Sequence, residues 1–157
     1  MKITELLDIK SIALNVNVKS KEETIDCLVD LMDASGKISD KEAYKKGILA
    51  REKLSTTGIG DGIAIPHAQV AAVKKPGLAA ITIKDGVDYE SLDGSLVHLA
   101  FMIAAPEDGG NLHLQALAKL STLLMNEDFR KALINASTAA EFLNIINEEE
   151  AKKVEEK

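Results

Sequence analysis

The chain has 157 residues, 46% of them hydrophobic and 28% charged, the balance of one ordinary globular domain rather than of a disordered or fibrous chain. Its formal net charge of −6 excludes the broad basic face that a nucleic-acid backbone demands, though not a small phosphorylated ligand held by local positive charge. A single cysteine excludes an internal disulfide, no apolar run approaches the roughly 18 residues of a membrane span, and the polar start Met1-Lys-Ile-Thr-Glu lacks a secretory h-region, so the expected location is the cytoplasm, with no direct membrane insertion.

In chain order, the N-terminal stretch holds a short helical turn around Leu6-Leu7 and then a strand, Ile12 to Val16. Ser20-Lys-Glu-Glu23 fits a capping box, in which a hydroxyl and a carboxylate three residues apart satisfy free main-chain N–H groups, and its helix runs to the stop signal Gly36. Cys27 falls in that helix among Ile25, Leu28, Leu31 and Met32, which predicts a core thiol. Ser39-Asp-Lys-Glu42 is a second capping box, with a helix to about Leu54; Arg51 lies in its last turn, where a cation suits the helix dipole.

Next comes the stretch Ser55 to Gln69. Three glycines at alternate positions, Gly58, Gly60 and Gly62, lead into Ile63-Ala-Ile65 and then Pro66-His67. Pro66 fixes its own φ and pushes Ile65 towards an extended conformation. The His67 imidazole is therefore expected at the end of a stiff extended segment beside a flexible loop that has no structural need of it.

Residues 78–84 read as a strand, and Gly86 to Gly94 as turns with a short strand at Val87-Asp-Tyr89. Leu96 to Ala104 is apolar on both faces, which places it inside a sheet. After Pro106 a polar loop, Glu107 to Gly110, leads to a helix starting near Asn111 with an apolar stripe at Leu112, Ala116, Leu120 and Leu123. Asn126 caps a short helix carrying Phe129 and Leu133, and Thr138-Ala-Ala-Glu141 caps the last, with Phe142 and Ile145 inward. The stretch 148–157 is charged nearly all round and reads as a tail continuing that helix. Alternating strands and helices, with hairpin-like strand pairs, predict a single-domain α/β sandwich: a mixed parallel/antiparallel sheet flanked by helices on both faces.

Three histidines are present. His98 lies inside a strand with no acidic or nucleophilic neighbour and reads as structural. His113 lies in the first turn of a helix after Gly109-Gly110, where free N–H groups and partial positive charge suit an anion. His67, His113 and Arg51 together give a nucleophile that is largely neutral near pH 7 plus donors for a charged group, which suits a phosphoryl group carried on nitrogen. A nucleotide-hydrolase loop would need Gly-Lys-Ser/Thr where Gly62 is followed by Ile63-Ala64; a dinucleotide fingerprint would need a helix where Pro66 ends an extended run; metal-ligand spacings and a serine elbow are missing.

The run Gly58-Ile-Gly-Asp-Gly-Ile-Ala-Ile-Pro-His-Ala68, with Arg51-Glu-Lys before it and Asn111-Leu-His-Leu-Gln-Ala-Leu-Ala after it, resembles enzyme IIA of the fructose/mannitol type, the phosphocarrier domain of bacterial phosphoenolpyruvate-dependent sugar phosphotransferase systems. The resemblance covers about residues 3–147, so a phosphocarrier domain is expected over 1–147 with the charged tail at 148–157. It implies the same sandwich fold. It also implies that Nε2 of His67 accepts a phosphoryl group from the phosphohistidine of HPr and passes it to a cysteine of enzyme IIB, which serves the membrane enzyme IIC. No metal or soluble cofactor takes part. His113 matches the family's second active-site histidine and Arg51 an arginine near the site; Asp61 is left without a role. Cys27 is not the acceptor, and with no acceptor domain in the chain the resemblance implies a free-standing subunit. Two alternatives share the fold: a regulatory phosphoprotein of the nitrogen-related branch, and a binding module whose histidine carries no phosphate.

Overall fold

The computed structural model describes residues 2–155; Met1 and the end of the charged tail, Glu156-Lys157, lie outside the described residues. The elements run α1 (Ile3–Leu6), β1 (Leu7–Val16), α2 (Lys21–Ala34), α3 (Lys41–Leu54), β2 (Gly58–Gly60), β3 (Ile63–Ala64), β4 (His67–Val70), β5 (Gly77–Val87), β6 (Val97–Pro106), α4 (Leu112–Leu123), α5 (Glu127–Ile134) and α6 (Ala139–Glu155). One six-stranded sheet has the order β1-β5-β6-β3-β2, with β4 also on β6. β5 pairs β6 antiparallel and β1 pairs β5 parallel, while β3 and then β4 pair β6 parallel along its other edge. The mixed sheet of the sequence reading is therefore present.

Side chains that alternate along a strand sort to two faces. Ala79, Ile81 and Ile83 of β5 and Ala100, Met102 and Ala104 of β6 join α2 and α3 in one core. Leu78 and Ala80, with Leu99, Phe101 and Ile103, join α1, α4, α5 and α6 in the other. That two-faced burial is why both central strands read as almost unbroken apolar runs.

Local capping signals place most helix starts. Ser20 accepts from the Glu23 N–H, Asn126 from Phe129 and Thr138 from Glu141. The second box differs by one residue: Asp40 caps α3 by accepting from the Ala43 N–H, while Ser39 donates its hydroxyl to the Ala72 carbonyl. A carboxylate is the better acceptor at a helix N-terminus, and Ser39 is engaged by the chain leaving the sheet. β1 begins at Leu7 instead of Ile12, because Leu7 pairs with Leu78 across an irregular stretch where the Ser11 hydroxyl donates to the Leu78 carbonyl. Val87 does not open a separate strand. β5 runs through Gly86, whose φ of 75° absorbs the bend, and Val87 pairs with Val97. In α6 it is Phe142 and Ile146 that are fully buried, with Ile145 at the core edge. Cys27 is likewise half-buried; burial, then the Asp30 charge, pushes its thiol pKa up, which leaves it a poor nucleophile.

α6 carries on through the charged stretch, and Glu150 within it is 3% exposed. Its carboxylate accepts the main-chain N–H groups of Ile3 at 2.8 Å and Thr4 at 3.3 Å and pairs with Lys119 Nζ at 2.9 Å. One acidic side chain thus ties α6 to the start of α1 and to α4. Among the described residues no helix is long and apolar enough to cross a membrane.

Glu150→Ala removes the acceptor of two main-chain N–H groups, one of them buried. It is expected to destabilise the fold by about 1–3 kcal/mol, read as a lower urea midpoint with an unchanged slope.

Candidate functional site

β3 and β4 are one extended run interrupted at Ile65-Pro66. Pro66 has no N–H, but its carbonyl accepts the Ile103 N–H at 3.0 Å, so the run stays registered on β6 across the break. His67 opposes Ile103 in that parallel register and therefore points to the face where α4 lies. His67 as a residue is 9% exposed, and its ring sits 6.4 Å from the His113 ring, centre to centre, with 28° between the planes. The two histidines are brought together from a strand start and the first turn of a helix.

Nδ1 of His67 lies 2.9 Å from the Ile65 carbonyl oxygen. A carbonyl can only accept, so Nδ1 carries the proton in the neutral ring and Nε2 carries the lone pair. The His67 pKa is lowered, first by desolvation and further by the charges of Arg51 and His113; the Ile65 hydrogen bond and the Glu52 charge pull the other way and lose. The neutral nucleophile is thus favoured. Nδ1 of His113 is buried and finds no protein hydrogen-bond partner among the described residues.

Arg51 lies in the last turn of α3, which packs on the other face of the sheet. α3 packs closely on β4 because residue 47 is glycine; a Cβ there would sit 2.8 Å from Val70 Cγ1. Arg51 Nη1 donates to the Ser55 carbonyl at 3.0 Å, closing the C-terminus of its own helix, and its charge is felt at His67.

The glycine loop is a tight hairpin between β2 and β3, too short for any alternation to show in sequence. Its turn has φ of 106°, 56° and 77° at Gly60, Asp61 and Gly62, where a side chain is tolerated only at the middle position. Asp93 accepts the Asp61 N–H at 3.0 Å; bonds from Ser95 and that N–H hold its carboxyl down to about 2. Asp61 is therefore a turn residue. His98 lies five residues along β6 from Ile103, about 16 Å away at strand spacing. It donates from Nδ1 to the Ile83 carbonyl at 3.0 Å, a structural role at the irregular part of β5 and β6.

Gln69 went unrecognised in the sequence. It shares the face of His67, two residues on, and its amide donates to the carbonyls of Pro106 at 3.2 Å and Gly110 at 2.8 Å. It thereby fixes the loop that aims α4, and His113 with it, at His67. The spacing i, i+2 from His67 on an extended segment was the available signal.

A mixed sheet carrying a buried histidine on one short strand, opposite a second histidine on a helix, is the architecture of the phosphotransferase-system IIA proteins. It superposes with a TM-score of 0.84 on the nitrogen regulatory protein IIA-Ntr of Neisseria meningitidis, at 32% identity over 92% of this chain and 98% of that one. It superposes at 0.78 on the complex of enzyme IIAMtl and phosphorylated enzyme IIBMtl from Escherichia coli, at 26% identity over 90% and 99% of the chains. Residues 5–149 match the family described as phosphoenolpyruvate-dependent sugar phosphotransferase system, EIIA 2, and the chain belongs to it. The fructose-specific EIIABC component of Bacillus subtilis is 55% identical over 94% of this chain, which spans 23% of that protein's length.

Because its folded pKa is depressed, His67 is expected to titrate below about 6.5, followed by ring-proton NMR. Arg51→Ala removes a repulsive charge and should move that midpoint up. The linked stability is fully present above about pH 6.5 and is lost as pH falls from there towards the folded midpoint, since the unfolded ring takes up its proton first.

Proposed function

We propose that this chain is a cytoplasmic phosphocarrier of a sugar phosphotransferase system, with His67 as the residue that carries the phosphoryl group. The observation that carries the reading is the Nδ1–Ile65 bond, which commits the lone pair to Nε2. In the first step the N–P bond of the HPr phosphohistidine breaks as an N–P bond to Nε2 of His67 forms. Nδ1 keeps its proton, and the positive charge gained by the ring strengthens its bond to the Ile65 carbonyl. In the second step the Nε2–P bond breaks as a bond forms to the cysteine sulfur of an enzyme IIB, and His67 returns to its neutral form.

Arg51 and His113 then act on the phosphoryl oxygens. Phosphoryl transfer spreads charge over those oxygens, so positioning and donated hydrogen bonds carry most of the catalysis. The buried Nδ1 of His113 without a protein partner is in keeping with a group that completes its hydrogen bonding only when the site is loaded. The IIB partner is supported by the Escherichia coli complex, and a sugar-uptake role by the 55% identity to a fructose-specific protein, which makes fructose the first sugar to test. The fold likeness to IIA-Ntr supports the second reading, a regulatory phosphoprotein.

Incubation with phosphorylated HPr is expected to add one acid-labile, base-stable phosphoryl mass to the wild type and none to His67→Ala; a wild type that stays unlabelled refutes the reading. His113→Ala should keep the fold and slow onward transfer from loaded His67 by about two orders of magnitude. Label that moves on to an enzyme IIB and then to fructose selects uptake, whereas label retained with every IIB selects the regulator.

A further inference from the structure

Behind the site lies a buried charged group that the transfer steps leave unused. Glu52 follows Arg51 in the last turn of α3, yet its side chain is 6% exposed. A carboxylate there opposes the negative end of the helix dipole, and burying it adds a desolvation cost, so helix stability does not explain it. Its partners do compensate the charge. It accepts the Thr57 N–H at 3.1 Å and the Thr57 hydroxyl, and pairs with Lys21 Nζ at 3.0 Å. With the Thr57 proton given to Glu52, the Tyr89 hydroxyl, 3.2 Å away, must donate to Thr57 Oγ1. Burial and the Glu52 charge push the Tyr89 pKa up, which keeps that proton in place. Lys21 Nζ also lies 4.8 Å from the centre of the Tyr89 ring.

Thr57 is thus gripped by main chain and side chain together, and what it holds is the site. Its carbonyl accepts the Ile65 N–H at 3.0 Å, and the Ile65 carbonyl accepts the Nδ1–H of His67 at 2.9 Å. Every donor in this series points back towards Glu52. We infer that Glu52 is a positioning residue for His67, acting through Thr57 and Ile65 to hold the Ile65 carbonyl where it fixes the tautomer that exposes Nε2. Arg51 and Glu52, though adjacent, have different partners: Arg51 closes the helix end on Ser55, and Glu52 anchors the floor of the site. The inference rests on the proposed phosphocarrier role only for its rate readout.

The test is nitrogen-15 NMR of the His67 ring in the unphosphorylated protein, for wild type, Glu52→Ala and Glu52→Gln, with phosphoryl acceptance from phosphorylated HPr measured alongside. Wild type should show the Nδ1–H tautomer predominating. Glu52→Ala should move both ring nitrogens towards the mixed-tautomer values of a free imidazole and slow acceptance roughly tenfold to a hundredfold. Glu52→Gln keeps one acceptor for Thr57 and should show part of the same shift, so it decides the matter if the alanine variant does not fold. A merely structural Glu52 would lower the melting temperature and leave the ring nitrogens unmoved. Folded variants with wild-type ring shifts overturn the inference. A wild type that never takes phosphate from HPr, but whose ring nitrogens shift in these variants, overturns the phosphocarrier reading and leaves the positioning role standing.

Discussion

The chemistry of this site depends on a hydrogen bond spanning two residues, from Nδ1 of His67 to the carbonyl of Ile65. A free imidazole exchanges its proton between two nitrogens, so neither is committed to nucleophilic attack. Here the backbone decides. The carbonyl at 65 is available because the parallel ladder to β6 bonds alternate residues: the Gly62 and Pro66 carbonyls accept from β6, while Ile65 between them faces the other way and gives its N–H to the Thr57 carbonyl. Facing away from β6, that carbonyl accepts the ring proton at 2.9 Å.

The electrostatics follow from where that short strand lies. On the rim of the sheet, His67 lies beside His113 of α4 on its own face, while α3, which carries Arg51, packs on the other. Burial, the Arg51 charge and the neighbouring His113 push the imidazole towards neutrality; the Ile65 bond and Glu52 oppose them, and desolvation prevails. The Arg51 charge, which disfavours a proton on His67, is of the sign that would favour a phosphoryl anion there, whereas burial opposes both.

What was legible in the sequence was chemistry contained within about four residues. Ser20, Asn126 and Thr138 cap helices because each acceptor and its N–H donor lie three positions apart, and the two-faced burial of β6 shows directly as an apolar run. Pro66-His67 and the glycines marked the site, and the resemblance to enzyme IIA gave the fold. Interactions distant in sequence were not legible. Glu150 reads as tail charge but caps α1 from 147 residues away, and Gln69 reads as an ordinary polar residue but holds a loop about 40 positions on. Ser39 and Asp40 compete as adjacent caps, and only the contact of Ser39 with Ala72 decides between them.

The partly buried pair Lys21–Glu52 shows why such residues escape a reading based on local preference. An acidic residue in the last turn of a helix is locally unfavourable, and a buried ion pair is a weak source of stability. Conflicts of that kind are expected where a structure serves a site rather than itself. Glu52 resolves its conflict through Thr57, whose main chain leads by way of Ile65 to His67. The carboxylate at the end of α3 and the ring proton at the start of β4 are thus two ends of the same set of bonds.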